Sequence, residues 1–512
     1  MKETYSRRRY IVLSATGTIA GVTGCLGGNE NGSSDGDGGN ESDGDGGGGR
    51  NGSDESNGSS GGNASGGSNG SAGGSSGENP SELPPVHWLT DYNSDAWQSR
   101  WNEFASTFTE ETGIDTNIEF VGGSGEGEQR LANLIQAGDP PDVMTTVTPS
   151  VADLFTAGTL APVNDTLGEI TSAAGELTVE PVLNDSEGTR YQVPHGYYIA
   201  TLLYREDIYE ALDLSEPSNF MELKENARII DESDEFDTRG MAVPAAQDEP
   251  LASAAFRIMY NNMGYARVRW KSDAREEVEI WFPKEPAVEL LNYFKELAQY
   301  SPDPSQVTFV SGLSNWGGGA YGQLVHLNLW PGGTAAGIDP EIAKNTGVTN
   351  MPLYQDVPKE ESRMTLNANI DGHFVLDSGA NTPGSKRLLK WLYGRDAETT
   401  AEMYAQEPMR FLPTYAEILG TDTYADFDHF QEFPGHLEKL KKIEDIGNEY
   451  YNNVESTMTA LSTGPATYMG RVFLLSRMIH DAVVVGDDPA AVVDEHKSAM
   501  EERLQEGKER FS

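Results

Sequence analysis

An α/β fold divided into two lobes is what this sequence predicts, and three observations carry the expectation. Helix and strand signals alternate from residue 86 onward. Three strand–helix units fit into about 75 residues, which indicates a mainly parallel sheet with helices on its faces. The foldable part, 84–512, is too long for one compact core of ordinary domain size.

The elements follow in order. Val86-His87-Trp88-Leu89 is a short apolar run of strand type. Asp95 to Thr112 places Trp97, Trp101, Phe104 and Phe108 at helical spacing and is closed by Gly113, so those rings are expected in the core. Ile114 to Val121 alternates apolar and polar residues. Gln129 to Ala137 puts Leu131, Leu134 and Ile135 on one helical face before Gly138. Asp142 to Val147 is strand-like, and Pro149 to Ala157 is a helix with Val151, Leu154 and Phe155 inward. In such a sheet a ligand sits at the carboxyl ends of the strands.

Composition narrows the function. The 512 residues carry 81 acidic and 36 basic side chains, a net charge of −45, and one cysteine. A single cysteine excludes a disulfide framework, a cysteine-based zinc site and an iron–sulfur cluster. The acidity argues against nucleic acid, whose phosphates need a basic face. No apolar run is long enough to span a membrane in the mature chain. With acids dispersed along the chain, self-repulsion is tolerable where salt cuts the Debye length to about 3 Å. The sequence therefore reads as that of a protein from very salty surroundings, resembling those of extremely halophilic archaea.

The N-terminus reads as an address. Ser6-Arg7-Arg8-Arg9-Tyr10-Ile11 resembles a twin-arginine export signal, and Val22-Thr23-Gly24-Cys25 resembles a lipobox. Residues 1–24 are then a signal peptide, and Cys25 is the lipidated first residue of the mature chain. One lipid chain holds a protein marginally, so two are expected there. Residues 25–83 are nearly all Gly, Ser, Asn, Asp and Glu. They form a tether with a reach of roughly 40–45 Å. Asn31, Asn40, Asn51, Asn57, Asn63 and Asn69 in it open Asn-X-Ser sequons that offer glycosylation.

Longer matches then appear. Phe104…Phe108-Thr109-Glu110-Glu111-Thr112-Gly113-Ile114 and Leu134-Ile135-Gln136-Ala137-Gly138-Asp139-Pro140-Pro141-Asp142-Val143 are followed by Ala152-Asp153-Leu154-Phe155-Thr156-Ala157-Gly158. Tyr191-Gln192-Val193-Pro194, Leu203-Tyr204-Arg205-Glu206-Asp207, Phe411-Leu412-Pro413 and Asp488-Pro489-Ala490-Ala491-Val492 come later in the same order. Together they resemble the family 1 extracellular solute-binding proteins of the maltose-binding type, over most of 86–512. The stretch Phe309-Val310-Ser311-Gly312-Leu313-Ser314-Asn315-Trp316 departs from the family's pattern.

The resemblance implies a periplasmic-binding-protein-like fold of type II: two lobes, each a mainly parallel sheet flanked by helices, joined by a hinge. The first lobe is expected at 84–197 and 366–425, the second at 198–365 and 426–512. It also implies a monomeric receptor without cofactor or metal, lipid-anchored outside the cell, delivering a solute to the transmembrane subunits of an ABC importer. A sugar or oligosaccharide is the expected solute, with a glycerol-phosphate-type or other polar organic solute as the alternative.

Sugars are held by aromatic faces and by carboxylates and amides inside a cleft. Tyr92 and Asn93 follow the first strand, where the family makes ligand contacts. Thr146, Thr148 and Ser150 lie past the third strand, where Thr148 or Ser150 could equally cap the next helix. Tyr197 and Tyr198 lie in the hinge-like segment, and strand alternation lets only one of them face the cleft. Trp316 and Trp330 sit among glycines, as stacking platforms or as core or loop packing, and Asn369 and Asp371 lie at the second crossing. Arg410 is read as pairing with a surface acid rather than an anionic ligand. The alternative of another class is an exported glycoside hydrolase, since among 81 acids almost any carboxylate pair could be nominated. No metalloprotease, nucleophile-elbow or phosphate-loop motif occurs.

Overall fold

The computed structural model describes residues 83–510 apart from 123, 186, 273–275, 355–365, 451–462 and 471–472. The expected signal peptide, Cys25 and most of the tether lie outside the described residues.

Strand β1 (Val86–Thr90) leads into helix α1 (Asp95–Thr112). Ser94 caps that helix by accepting from the Trp97 amide, and Gly113 ends it in the left-handed conformation at φ 72°. Its buried face is Trp97, Trp101, Phe104 and Phe108. Trp101 meets Trp88 of β1 edge-on with centroids 4.7 Å apart, so helix and sheet are joined through aromatic packing. Strand β2 (Thr116–Phe120), helix α2 (Ser124–Ala137), strand β3 (Val143–Val147) and helix α3 (Thr148–Thr156) complete the expected units. Both β2 and β3 pair parallel to β1.

The long strand β4 (Val193–Arg205) organises the rest. Helix α4 (Pro250–Asn262), helix α5 (Phe309–Gly317), strand β5 (Gln323–Leu327), helix α6 (Trp330–Ala336) and strand β6 (Thr346–Asn350) follow it. Strand β7 (Leu366–Val375) then returns to the first sheet, and the two-residue strand β8 (Leu412–Pro413) closes its edge. The first sheet runs β8-β4-β7-β3-β1-β2. Beyond the switch, Ala200–Tyr204 pairs with β5 and Thr201–Arg205 with β6. One strand therefore belongs to two sheets. Pairing is parallel among β1, β2 and β3, whereas β4 is antiparallel to every partner. It reaches the second sheet by direct extension rather than through the helical crossover that parallel pairing needs.

The switch strains the ladder. The β4–β7 register shifts between Pro194 and Gly196 and again between Tyr197 and Ile199. Phe411, next to β8, packs against the strand there. A Cβ placed on Gly196 would lie 2.7 Å from Phe411 side-chain atoms, so this position has no room for a side chain. Gly196→Ala is expected to lower stability by about 1–3 kcal/mol, measured as a shifted urea midpoint in multimolar KCl. An unchanged midpoint would mean that Phe411 moves away freely.

Candidate functional site

The carboxyl ends of β1 and β3 point toward the place where β4 changes sheets, and a polar cluster lies there. Asp91 directly follows β1 and is 1% exposed. Its Oδ2 accepts from the Thr146 hydroxyl at 2.7 Å, and its Oδ1 has no partner among the described residues. Across the sheet on β7, Asp371 accepts from the hydroxyls of Tyr92 at 2.7 Å and Tyr198 at 3.1 Å. The guanidinium of Arg410 lies 3.5 Å from the same Asp371 oxygen and 2.8 Å from Glu407 Oε2. Trp97 Nε1 also donates to Glu407.

Arg410 is the centre of this arrangement. Its Cζ lies 5.2 Å from the Tyr92 ring, 4.5 Å from Phe411 and 4.7 Å from Trp330. Tyr92 belongs to the first sheet's side and Trp330 opens α6 on the second, so one guanidinium is packed between rings from both. Trp330 also stacks on Tyr198 at 6.3 Å.

Asn328 locks the two sides together. It has the left-handed φ of 49° and is fully buried. Its Oδ1 accepts from the Ile199 amide, and its Nδ2 donates to the carbonyls of Tyr197 and Arg410. The register shift removes β4–β7 ladder partners around Tyr197 and Ile199, and the Asn328 side chain acts as a substitute peptide group for them. Nearby, a Cβ on Gly333 would stand 2.7 Å from Met409 Cβ, so α6 approaches the Met409–Phe411 turn backbone-close.

The expected site residues divide clearly. Tyr92, Thr146, Tyr198, Trp330 and Asp371 come together in this cluster. Asn93 is partly buried beside it, and its carbonyl accepts from Gln98. Thr148 donates to the Ile370 carbonyl and so is tied to the neighbouring strand. Neither it nor Ser150 caps α3, whose cap position is Val147 without a side-chain bond. Tyr197 turns the other way: its hydroxyl has no partner among the described residues, and Glu444 and Tyr404 are its charged or titratable neighbours. Trp316 is fully buried with Nε1 donating to Thr346, which fits the core-packing reading, and the glycines around it complete and follow helix α5. Asn369 lies in β7, with its side chain outside the described residues. Arg410 is 4% exposed, not a surface partner of a surface acid.

Sequence reading missed Asp91, Asn328, Glu407 and the central place of Arg410. Asp91 was the most accessible, being an acid at the carboxyl end of a predicted first strand. His326 was missed as well: buried, 4.9 Å from the Phe309 ring, with neither ring nitrogen partnered among the described residues. A separate cavity of about 660 Å³ opens between Met221, Lys224, Tyr293 and Tyr354 and shares no residue with the cluster.

Beneath the cluster runs a buried relay. Trp88 Nε1 donates to Thr145 Oγ1, which contacts His373 Nδ1. His373 Nε2 contacts the Tyr393 hydroxyl, which contacts His195 Nδ1. The indole can only donate, so the Thr145 hydroxyl is free to donate to His373 Nδ1, which leaves the His373 proton on Nε2, facing the Tyr393 hydroxyl. Burial pushes His373 down to about 3 and His195 well below its usual range. Burial raises Asp91 to about 7, against the Thr146 bond and with help from Asp371.

The signs of these shifts oppose each other. Below about pH 6.5 the unfolded chain protonates the two histidines and the folded one does not. Stability then falls by about 1.4 kcal/mol per pH unit per histidine. Between about pH 7 and 4 the folded chain holds a proton on Asp91 that the unfolded one has released, and stability rises as pH falls. Urea titrations are expected to show a steeper acid loss in Asp91→Asn and a shallower one in His373→Gln than in wild type. Equal slopes would remove both groups from the account.

Asn328 can be tested separately. Asn328→Gly keeps the backbone conformation and loses the amide bonds, an expected cost of about 2–4 kcal/mol. Asn328→Ala is expected to cost about 1–2 kcal/mol more, since alanine resists positive φ. An alanine variant as stable as the glycine one would contradict this.

Comparisons with known proteins bear on the whole arrangement. The GacH receptor of Streptomyces glaucescens, solved unliganded and with acarbose, is similar at TM-score 0.60 and 17% identity, covering 83% of this chain and 99% of that one. A solute-binding protein from Agrobacterium radiobacter in complex with ribitol matches at TM-score 0.61 and 15% identity, over 82% and 98%. One from Thermotoga lettingae bound to α-D-tagatose matches at 0.58 and 15%, over 83% and 100%. These likenesses show the two-lobe periplasmic-binding-protein-like fold. No curated protein sequence matches the chain. The model of the bacterial extracellular solute-binding protein family matches residues 93–399, more than half of the sequence, and the chain belongs to that family.

Proposed function

We propose that this protein is the receptor of an ABC importer, capturing a sugar, polyol or oligosaccharide by hinge closure and handing it to the membrane permease. The observation that carries the reading is the junction of the two sheets. Tyr198 stacks there on Trp330, Arg410 lies against both Trp330 and Tyr92, and the two tyrosines donate to the buried Asp371. Aromatic faces suit sugar C–H surfaces, and fixed carboxylates suit hydroxyls.

In this reading 84–197 with 366–425 forms the first lobe, and 198–365 with 426–512 the second. Tyr92, Asn93, Thr146, Thr148, Tyr198, Trp330, Asn369 and Asp371 are the solute-facing candidates that remain. A solute touching both lobes stabilises the closed state, which the permease recognises. The N-terminal signals place the receptor outside the cell, exported folded and held at Cys25 by lipid, with the tether giving it reach. The acidity of the chain suits a salty medium. The relatives in solved structures support the solute class, since they were solved with acarbose, ribitol, D-mannitol or α-D-tagatose.

Thermal unfolding of the full chain in multimolar KCl tests this against mono- and oligosaccharides, polyols, phosphate esters and amino acids. A solute at 100 times its Kd adds about 2.7 kcal/mol, a readily measured rise in Tm. The expected result is a selective shift with the solute recovered unchanged, weakened at least tenfold in affinity by Trp330→Ala. Cleavage of an oligosaccharide, or a shift confined to amino acids, would overturn the reading.

A further inference from the structure

The charge balance at the sheet junction is uneven, and the imbalance falls on one atom. Three carboxyl groups, Asp91, Asp371 and Glu407, share one guanidinium, that of Arg410. Arg410 is engaged with Glu407 at 2.8 Å and with Asp371 at 3.5 Å. Asp371 takes two tyrosine hydroxyls besides. Asp91 receives the neutral Thr146 hydroxyl on Oδ2, and the Arg410 charge offsets only part of what burial imposes on it. Its Oδ1 is buried and unpartnered among the described residues. A buried carboxylate with one oxygen left without a hydrogen bond, and one nearby cation divided among three acids, is costly to keep. Chains retain such groups where something else completes them.

We infer that the solute completes Asp91 by presenting a protonated amine to its free oxygen, so that the receptor takes amino-substituted polyols or sugars in preference to their neutral counterparts. A hydroxyl would satisfy the hydrogen bond and leave the charge. An ammonium does both. In the empty site a proton does the same work, which agrees with the raised titration of Asp91 toward neutrality. Proton and amine then compete for one oxygen. The charged groups acting on Asp91 are Asp371 on β7 and Arg410 on the turn before β8, to which Glu407, Tyr92 and Tyr198 are in turn joined. This inference rests on the reading of the protein as a receptor for polyhydroxy solutes.

The test measures affinities of the full chain in multimolar KCl for matched pairs: D-glucamine and D-sorbitol, D-glucosamine and D-glucose, fully deacetylated chitotriose and cellotriose. At least one amine is expected to bind ten or more times tighter than its neutral partner at pH 7.5. For D-glucamine, whose amine is protonated at both pH values, the preference over D-sorbitol should shrink at least threefold by pH 5.5 as Asp91 takes up a proton. Asp91→Asn should reduce amine binding at least tenfold more than neutral binding. If that variant does not fold, the wild-type ratio and its pH profile decide. Neutral members binding as tightly as their amines, or a preference untouched by pH and by Asp91→Asn, overturns the inference and leaves the receptor reading standing. No response to any of the six probes counts against the polyhydroxy-receptor reading itself, and the inference falls with it.

Discussion

Strand β4 serves two sheets, and the requirement that every buried backbone amide and carbonyl find a partner governs what surrounds it. Where the strand leaves β7 and β8 for β5 and β6, the regular ladder cannot continue without interruption. The structure meets this with two register shifts, a glycine that lets Phe411 lie against the strand, and the Asn328 amide standing in for a peptide group. The same asparagine holds the Arg410 carbonyl. Backbone satisfaction at the junction thus also positions the cation that the polar cluster depends on.

The cluster shows how burial changes the meaning of ordinary side chains. A carboxylate on the outside of this acidic chain is one of many, screened by salt and weakly coupled to its neighbours. Asp91 and Asp371 are removed from water, and each neighbouring hydroxyl, guanidinium or carboxyl then shifts their charge by a substantial amount. The exposed ion pairs, such as Lys224 with Glu296 or Arg190 with Glu180, contribute little by comparison. The relay from Trp88 to His195 adds a second set of buried polar groups directly below, kept neutral by burial. The crossing strands β4 and β7 are therefore tied by side-chain bonds as well as by their ladder.

Much was legible from order and spacing alone. The first three strands and their helices were set by local periodicity and, for the first helix, by Gly113 at its end. Those signals act within a few residues and need no knowledge of the rest of the chain. Family membership rested on motifs that keep their order, which is also a property of the chain as written. The alternation rule even stated that only one of Tyr197 and Tyr198 could face the junction.

Which one it was, and what it met there, depended on contacts between distant segments. Tyr198 bonds to Asp371 across 173 positions and Asn328 to Tyr197 across 131. No local pattern encodes such pairings, because they follow from which strand extends into which sheet. Trp316 and Trp330 have similar glycine-rich neighbourhoods, yet one is sealed into a helix against Thr346 and the other opens a helix beside Arg410. Arg410 looked like a surface charge because its sequence neighbours are a turn; only the folding of that turn against α6 removes it from water. The sequence by itself determined the class of fold, the order of its elements and the family. The tertiary structure alone decided which polar groups lose their water, and that loss is what makes a charged side chain part of a site.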